Sequence, residues 1–519
     1  DDIELLPSLK GLVFVPAVKD VREAGRPGVK GVLVEGVELM DQADWSARLA
    51  DRVGAPLTMG GLNGILREVV AHYRDSGRPV VDVVVTEQDI TSGVVQLAVV
   101  EASLGEVRAE GAKHFKAERL AGQVRLRPGG PIESSILMAD LAWLNQNPFR
   151  SVDLVYTPGV ADGQTDVVLR IDDRFPMRVY GGWEDSGNAL TGDSRWFMGF
   201  NHGNLWGIDH QLNYQWTFNE DVSRLSAHSF SYVAPLPWRH TATVYGAYVE
   251  SEAALPAPFQ LSGETAQLSG RYTVPLPVPA SGQGSLSHEF EFGWDFKHST
   301  SNLEFGVLTA LATGTDVQQF ALGYRAGAKD ALGATQFGAF AYLSPGDMGG
   351  GNDDAAFGLA RAGAESEYAY GRLQAERVHR LPWDFSASVK GAVQFSDGNL
   401  LPSEQLGLGG YQSVRGYEEH EANVDRGYLL NAELRTPALP LRKAGELQLL
   451  VFVDHGGGRS VGRLPGEGDV SMTSVGPGLR WTLGDNVSVR FDYGFQLEDS
   501  GVGLGMGDSR AHIGATLAW

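Results

Sequence analysis

Hydrophobic and polar positions follow two different periods along this chain, and the change falls near residue 175. Before it, helical and extended patterns alternate. The stretch 29–39, VKGVLVEGVEL, reads as a strand, and 44–54, DWSARLADRVG, as a short helix with Asp44 placed to cap it. Across 60–77, Leu62, Ile65, Leu66, Val69 and Tyr73 share one helical face, and Gly77 supplies a stop. Two valine-rich strands, PVVDVVVTEQ and GVVQLAVVEA, complete a β-α-α-β-β unit. The order then repeats. A strand at 105–111 is followed by a helix at 114–124. Another helix at 131–148 starts on Pro131 and presents Ile136, Leu137, Leu141 and Leu144 on one face. FRSVDLVYTPG and TDVVLRIDD close the second copy. Two copies of one unit of ~70–75 residues predict a small array rather than one large core.

After about Arg174 the helical period stops. Segments of about ten residues with alternating character follow, separated by turns rich in glycine, asparagine and aspartate. Eleven begin near Met177, Ser194, Ile208, Val222, Thr241, Ala266, Leu286, Val317, Gln336, Ala364 and Asp384. Five more begin near Gly427, Glu446, Met472, Asn486 and Arg510, which makes sixteen. That is roughly 21 residues per strand plus connection, and ~9–11 residues cross a bilayer as a tilted strand, so the arithmetic closes on an even-numbered barrel.

Parity sharpens this. In 445–456, Leu447, Leu449, Val451 and Val453 share one face, and Glu446, Gln448, Leu450, Phe452 and Asp454 the other. In 487–497, Ser488, Arg490, Asp492 and Gln496 alternate with Val487, Val489, Phe491, Tyr493 and Phe495. Asn431, Glu433 and Arg435 point one way in 427–437. The last strand sets Ala511, Ile513, Ala515, Leu517 and Trp519 on one face. Asn431, Glu433, Arg435, Glu446, Gln448, Arg490 and Asp492 are therefore the expected lumen-facing polar set, and Ile513, Leu517 and Trp519 the expected C-terminal barrel signal. A soluble β-sandwich also alternates, its polar face meeting bulk water. Sixteen segments ending on an aromatic, with no propeller-type repeat, favour the barrel.

Composition narrows the chemistry. The 519 residues contain no cysteine, which excludes disulfides, thiolate zinc sites and a catalytic thiol. The 67 glycines are scattered among aromatics, as tight turns and crowded strands require. A net charge of −22 argues against nucleic-acid partners. Mean hydropathy of −0.15 looks soluble, but alternation gives barrels that average too. The first residues, DDIELLPSLKG, lack the basic and apolar regions of a signal peptide, so any leader is expected to have been removed. No P-loop, H-E-x-x-H or G-x-S-x-G is present, and GVGLGMG (501–507) has no helix after it. An enzyme, a cofactor and a metal are accordingly not expected. His420 among the carboxylates of EEHEANVD (418–425) reads as a solvated loop rather than a metal site.

Residues 408–428, LGGYQSVRGYEEHEANVDRGY, remain an unusual hairpin connection. Their VRGY, with FVDHG at 452–456, WLNQNPFRSVDLVYTPG at 143–159 and GQTDVVLRIDDRFP at 163–176, carries a family resemblance. TEQDITSGVVQLAVVEASLGEVRAEG (86–111), NLWGIDHQLNYQW (204–216) and SYVAPLP (231–237) extend it. The chain resembles the TpsB transporters of two-partner (type V) secretion, the FhaC and ShlB type, within the BamA-like superfamily. The likeness covers about residues 29–519.

The resemblance implies two β-α-α-β-β POTRA domains followed by a 16-stranded antiparallel transmembrane β-barrel with an inward-folded long loop. The expected domains are an N-terminal extension (1–28), POTRA 1 (29–103), POTRA 2 (104–174) and the barrel (175–519). Family members often begin with a pore-plugging helix, whereas 9–21, LKGLVFVPAVKDV, reads as extended. The resemblance further implies a loop tip of Val414, Arg415, Gly416 and Tyr417 latched to a barrel-wall motif of Phe452, Asp454 and Gly456, with Arg415 paired to Asp454. Parity independently puts Asp454 on the presumed lumen face. The implied protein sits in the bacterial outer membrane with its POTRA domains in the periplasm. It captures an unfolded, TpsA-like exoprotein in extended form and passes it to the cell surface. Outer-membrane lipid, and the barrel-assembly machinery acting on the C-terminal strand, are its other implied partners. The alternative is a BamA-like factor that inserts proteins into the outer membrane. A passive porin is disfavoured because porins lack such periplasmic units.

Overall fold

The computed structural model describes residues 3–253, 255–256, 258–278, 285–305, 308–501 and 508–519. The glycine-rich stretch 501–507 lies almost wholly outside them. The chain divides into Asp1–Phe175 and Pro176–Trp519.

The N-terminal unit holds two larger sheets and a short two-stranded ladder of Glu4–Leu6 with Leu57–Thr58. In the first, β1 (Gly11–Val15) lies between β2 (Gly31–Val34) and β4 (Val94–Glu101), parallel to both, and β3 (Val81–Val84) pairs antiparallel with β4. Strand β1, which falls within the expected N-terminal extension (1–28), thus pairs with two strands of the first sheet. Its sequence GLVFV is buried at every position. Leu12 and Phe14 pack with Trp45, Ile65 and Val69, while Val13 and Val15 pack on the other face with Val94 and Ala98. A strand covered on both faces needs no alternation, which is why the extended reading of 9–21 did not place it in a sheet. The segment after it is tied down by Gln96, which binds the amide and carbonyl of Arg22 and the guanidinium of Arg26.

Helix α1 (Gln42–Arg48) is capped by Asp41, whose carboxylate accepts the Ala43 and Asp44 amides at 3.0 and 2.9 Å. Asp44, the expected cap, instead sits in the first turn and pairs with Arg48 at 2.8 Å. Helix α2 (Met59–Asp75) is capped by Thr58 and buries Leu62, Ile65, Val69 and Tyr73. The second sheet repeats the plan in β5 (Ser103–Glu110), β6 (Arg150–Pro158) and a central β7 (Gln164–Asp173), with α3 (Ala117–Ala121) and α4 (Ser134–Leu144). Each sheet has its own apolar core.

From Met177 on, antiparallel pairing runs without a break from β8 (Met177–Glu184) to β23 (Ser509–Ala518), and β8 pairs with β23 to close a barrel. The ladder Leu439–Pro440 continues β19 (Arg426–Arg435) along the same neighbour, β20 (Glu446–Arg459), so the strands number sixteen among the described residues. The expected alternation is realised. Leu449, Val451 and Val453 are exposed on the outside, while Leu450, Phe452 and Asp454 are buried inside. Strands β14 (Ser285–Phe305) and β15 (Leu308–Asp330) have 21 and 23 residues, far beyond the ~10 that cross a bilayer.

Candidate functional site

Between β18 (Ser386–Ser396) and β19 the chain does not make a short turn. Residues 397–425 run inward and touch walls on both sides of the barrel. A short ladder of Leu406–Leu408 with Ala422–Val424 forms the neck, and Gly409 and Gly410, both with positive φ, turn the chain into the tip. Leu406, Leu408, Val414, Tyr417, Ala422 and Val424 pack with Met472 of the wall, so the loop carries its own apolar core.

Arg415 is the centre of the tip. Its Nε and Nη2 donate to the two oxygens of Asp454 at 2.6 and 2.8 Å, and its backbone amide to the same carboxylate at 3.1 Å. Its Nη1 reaches Glu433 at 2.6 Å and lies 3.5 Å from Asp492. The guanidinium sits 3.7 Å from the Phe452 ring centroid. Lysine could not reproduce this fork, which bonds one carboxylate bidentately, reaches two more and stacks on a ring. Asp454 also accepts from Asn431 (2.9 Å), whose other contact is the Ser413 carbonyl (2.6 Å). Arg435 bridges to Glu433, while Arg480 and Arg490 hold Asp492 at 2.9 and 2.7 Å.

Gly416 explains the spacing. Its φ is +92°, and a Cβ there would come within 3.0–3.1 Å of Gly494 backbone atoms, so tip and wall meet glycine to glycine. Its amide donates to His512 Nε2 at 2.9 Å, and its carbonyl accepts from Gln496 at 2.7 Å. Tyr417 is fully buried, and its hydroxyl meets the carbonyls of Glu498 and Thr473 at 2.6 and 3.0 Å. Gly456 leaves room for Val414: a Cβ on it would lie 3.0 Å from Val414 Cγ2.

The structure thus gathers Arg415, Asp454, Glu433, Asn431, Arg435, Arg490 and Asp492 around one point. It does not bring in Glu446, which is exposed at the start of β20, or Gln448, which bonds the Thr436 carbonyl. Ile513 and Leu517 face outward on β23, and Trp519 follows that strand, its backbone bonded to Val179.

A second anchor escaped the sequence reading. At the root of the loop Asp425 is fully buried and accepts Arg361 through both oxygens (2.6 and 3.0 Å), the amides of Leu400 and Val461, and the side chain of Gln405. Glu404 binds Lys297 (2.6 Å), Gln319 (3.0 Å) and Tyr370 (2.8 Å) from strands across the lumen. Arg361 follows α5 (Asp354–Ala360), a helix in the loop between β16 (Gly333–Pro345) and β17 (Glu367–Arg380). Neither carboxylate stands in a motif, so only the three-dimensional contacts reveal it. The acidic run also finds its use. Glu419 accepts the Tyr411 amide, Glu421 the Glu418 amide, and Glu418 the Ala189 amide. His420 contacts Asn423, and no cluster among the described residues could hold a metal ion.

Comparison with known proteins agrees with this architecture. Residues 296–481 match the family described as haemolysin secretion/activation protein ShlB/FhaC/HecB, and residues 28–102 match the ShlB-type POTRA domain. The heme/hemopexin transporter protein HuxB of Haemophilus influenzae (strain 86-028NP) is 22% identical over 450 residues, covering 84% of this chain and 77% of HuxB. The outer membrane transporter CdiB of Escherichia coli is 24% identical over 449 residues, covering 82% of this chain and 72% of CdiB. Among solved structures, CdiB from Escherichia coli superposes with a TM-score of 0.76 at 18% identity, over 99% of this chain and 91% of that one. BamA from Haemophilus ducreyi lacking POTRA domains 1–3 gives 0.53 at 13% identity, over 96% and 100%.

Proposed function

We propose that this chain, which belongs to the ShlB/FhaC/HecB family of haemolysin secretion and activation proteins and is an outer-membrane transporter with periplasmic POTRA domains, exports one dedicated exoprotein through its barrel. The observation that carries the reading is the loop 397–425. It enters a closed barrel and is held at its tip by a buried arginine, with Gly416 and Tyr417 bonded to the wall beside it. A passive pore has no use for such a device. A conduit that must stay shut until its client arrives does.

The steps follow from the parts. Strands β3 and β6 each leave one edge unpaired, so an extended client segment can add to either sheet through backbone bonds that demand little of its sequence. Client carried into the lumen meets the tip. There the Arg415 cluster is strong enough to hold the loop and, because removing charges from water offsets much of their attraction, weak enough to be exchanged. With no nucleotide site in the sequence, folding of the client outside would make passage one-way. Exposed Val451, Val453 and Leu517 meet lipid, and the apolar face of β23 ending at Trp519 is the part the barrel-assembly machinery would read.

Deleting the gene and fractionating the cells tests this. One large exoprotein should disappear from the medium while barrel proteins as a group stay at normal levels. A general loss of outer-membrane proteins would instead make the chain an assembly factor.

A further inference from the structure

Below the loop tip lies a cavity of about 230 Å³ between Tyr411, Gln412 and Ser413 of the loop and the lumen wall. The wall residues come mainly from the end of the barrel at which β8 begins. Among the described residues its lining holds five cations, Lys390, Arg415, Arg435, Arg480 and Arg490, against two carboxylates, Glu376 and Glu433. This imbalance stands out in a chain whose net charge is −22.

The cations differ in reach. Only 4% of the Arg415 side chain is exposed, against 24% for Arg480 and Arg490 and 32% for Arg435. Lys390 is exposed, on the lumen face of β18. An anion entering from below therefore meets these four first and Arg415 last. Arg490 is the connection to the loop. Its Nη2 donates to the Tyr411 carbonyl at 2.8 Å, its guanidinium lies 3.7 Å from the Tyr411 ring centroid, and its Nε holds Asp492 at 2.7 Å.

We infer that this cavity is a receiving site for carboxylate side chains of an acidic, extended stretch of the exported polypeptide, and that filling it loosens the loop tip. The inference rests on the export reading. A carboxylate that engages Arg490 competes with the Tyr411 carbonyl and with Asp492, and one that engages Arg435 competes with Glu433. The exchange at the Tyr411 carbonyl removes a tie between tip and wall, whereas those at Asp492 and Glu433 break pairs within the wall and free Arg490 and Arg435 for the client. A polypeptide suits the site better than a lipid phosphate, because every lining residue faces the lumen and none faces the lipid.

The test uses the full-length protein in nanodiscs. The sequence has no cysteine, so Gln412→Cys takes one nitroxide whose mobility reports the tip. Deca-glutamate should mobilise the label saturably and deca-lysine should not. The double variant Lys390→Gln, Arg435→Gln should raise the midpoint about tenfold, since charge-assisted bonds are lost, while the barrel keeps its heat-modifiable migration. An unchanged midpoint would overturn the inference. So would an equal response to deca-lysine, or one fully reproduced by pyrophosphate, which would mark a small-anion site only. The titration needs no client, so it fails independently of export. No response from a protein whose deletion does abolish secretion removes the receiving site alone.

Discussion

Arg415 carries two jobs that a single mutation confounds. It neutralises Asp454, Glu433 and Asp492, and it fastens the loop to the wall. Two unit charges at ~4 Å in an environment of effective dielectric ~20 attract by about 4 kcal/mol before desolvation is subtracted. Removing only the cation leaves Asp454 fully buried with no cation, while Glu433 keeps Arg435 and Asp492 keeps Arg480 and Arg490, a loss on the order of 3–5 kcal/mol in tip docking. Arg415→Ala should therefore cut secretion and expose the tip to protease while the barrel stays folded and heat-resistant. Asp454→Ala alone should cost less, because Glu433 and Asp492 still hold the arginine. In the double variant the losses should fall short of their sum by roughly 0.5–3 kcal/mol, measured as a cycle on tip protection. Strict additivity would mean that the pair is not the fastening. The glycines give a sharper steric expectation. Gly494→Ala adds a Cβ within 2.6 Å of Gly416 backbone atoms, so the tip must back away, and its protease protection should drop much as it does in Arg415→Ala.

At the scale of elements, the second N-terminal sheet, β5 to β7, depends on a carboxylate. Asp173, the last residue of β7, accepts the amides of Lys113, His114 and Phe115 at 2.8–3.0 Å and so fixes the turn after β5. Desolvation pushes its pKa up, but these donors outweigh it and hold the carboxyl below its ordinary value. A depressed pKa contributes stability above the unfolded-state value of ~3.9 and loses it as pH falls through the folded value. Asp173→Asn should thus melt earlier than the parent at pH 7, by about 1–3 kcal/mol, and the gap should narrow steadily below about pH 4. A gap independent of pH would assign the loss to packing instead. The same contrast between local pattern and distant partner explains what could be read beforehand. The barrel strands were legible because each has one wet and one apolar side, and α2 because Leu62, Ile65, Val69 and Tyr73 mark a single face. Strand β1 read as extended, but its place in the sheet did not show, since both its faces are buried. Asp425 and Glu404 were not, since Arg361 and Lys297 lie 64 and 107 residues away and nothing local distinguishes a clamped carboxylate from a solvated one.

For the whole molecule the question is whether the loop must leave the lumen or whether client slides past it. The two anchors differ in kind. The tip pair borders the lumen cavity and accepts one backbone amide, whereas at the root Asp425 is fully buried and accepts Arg361, Gln405 and two backbone amides. A loop released at its tip and still tied at its root swings; it does not pull out. Asp425→Asn keeps the size but loses the charge opposite Arg361, so it should let the whole loop detach and should raise resting conductance more than Arg415→Ala does. A covalent lock separates swinging from sliding. The Val414 side chain lies within reach of a Cβ on Gly456, at a separation suited to a Cys–Cys bridge, and no native thiol competes. The pair Val414→Cys, Gly456→Cys, once oxidised, should stop secretion, and a reductant should restore it, while Val414→Cys alone secretes equally in both conditions. Secretion that continues through the oxidised protein would show that the tip stays docked during transport. The client would then pass beside it, and the Arg415 cluster would be a structural strut of the barrel wall rather than its latch.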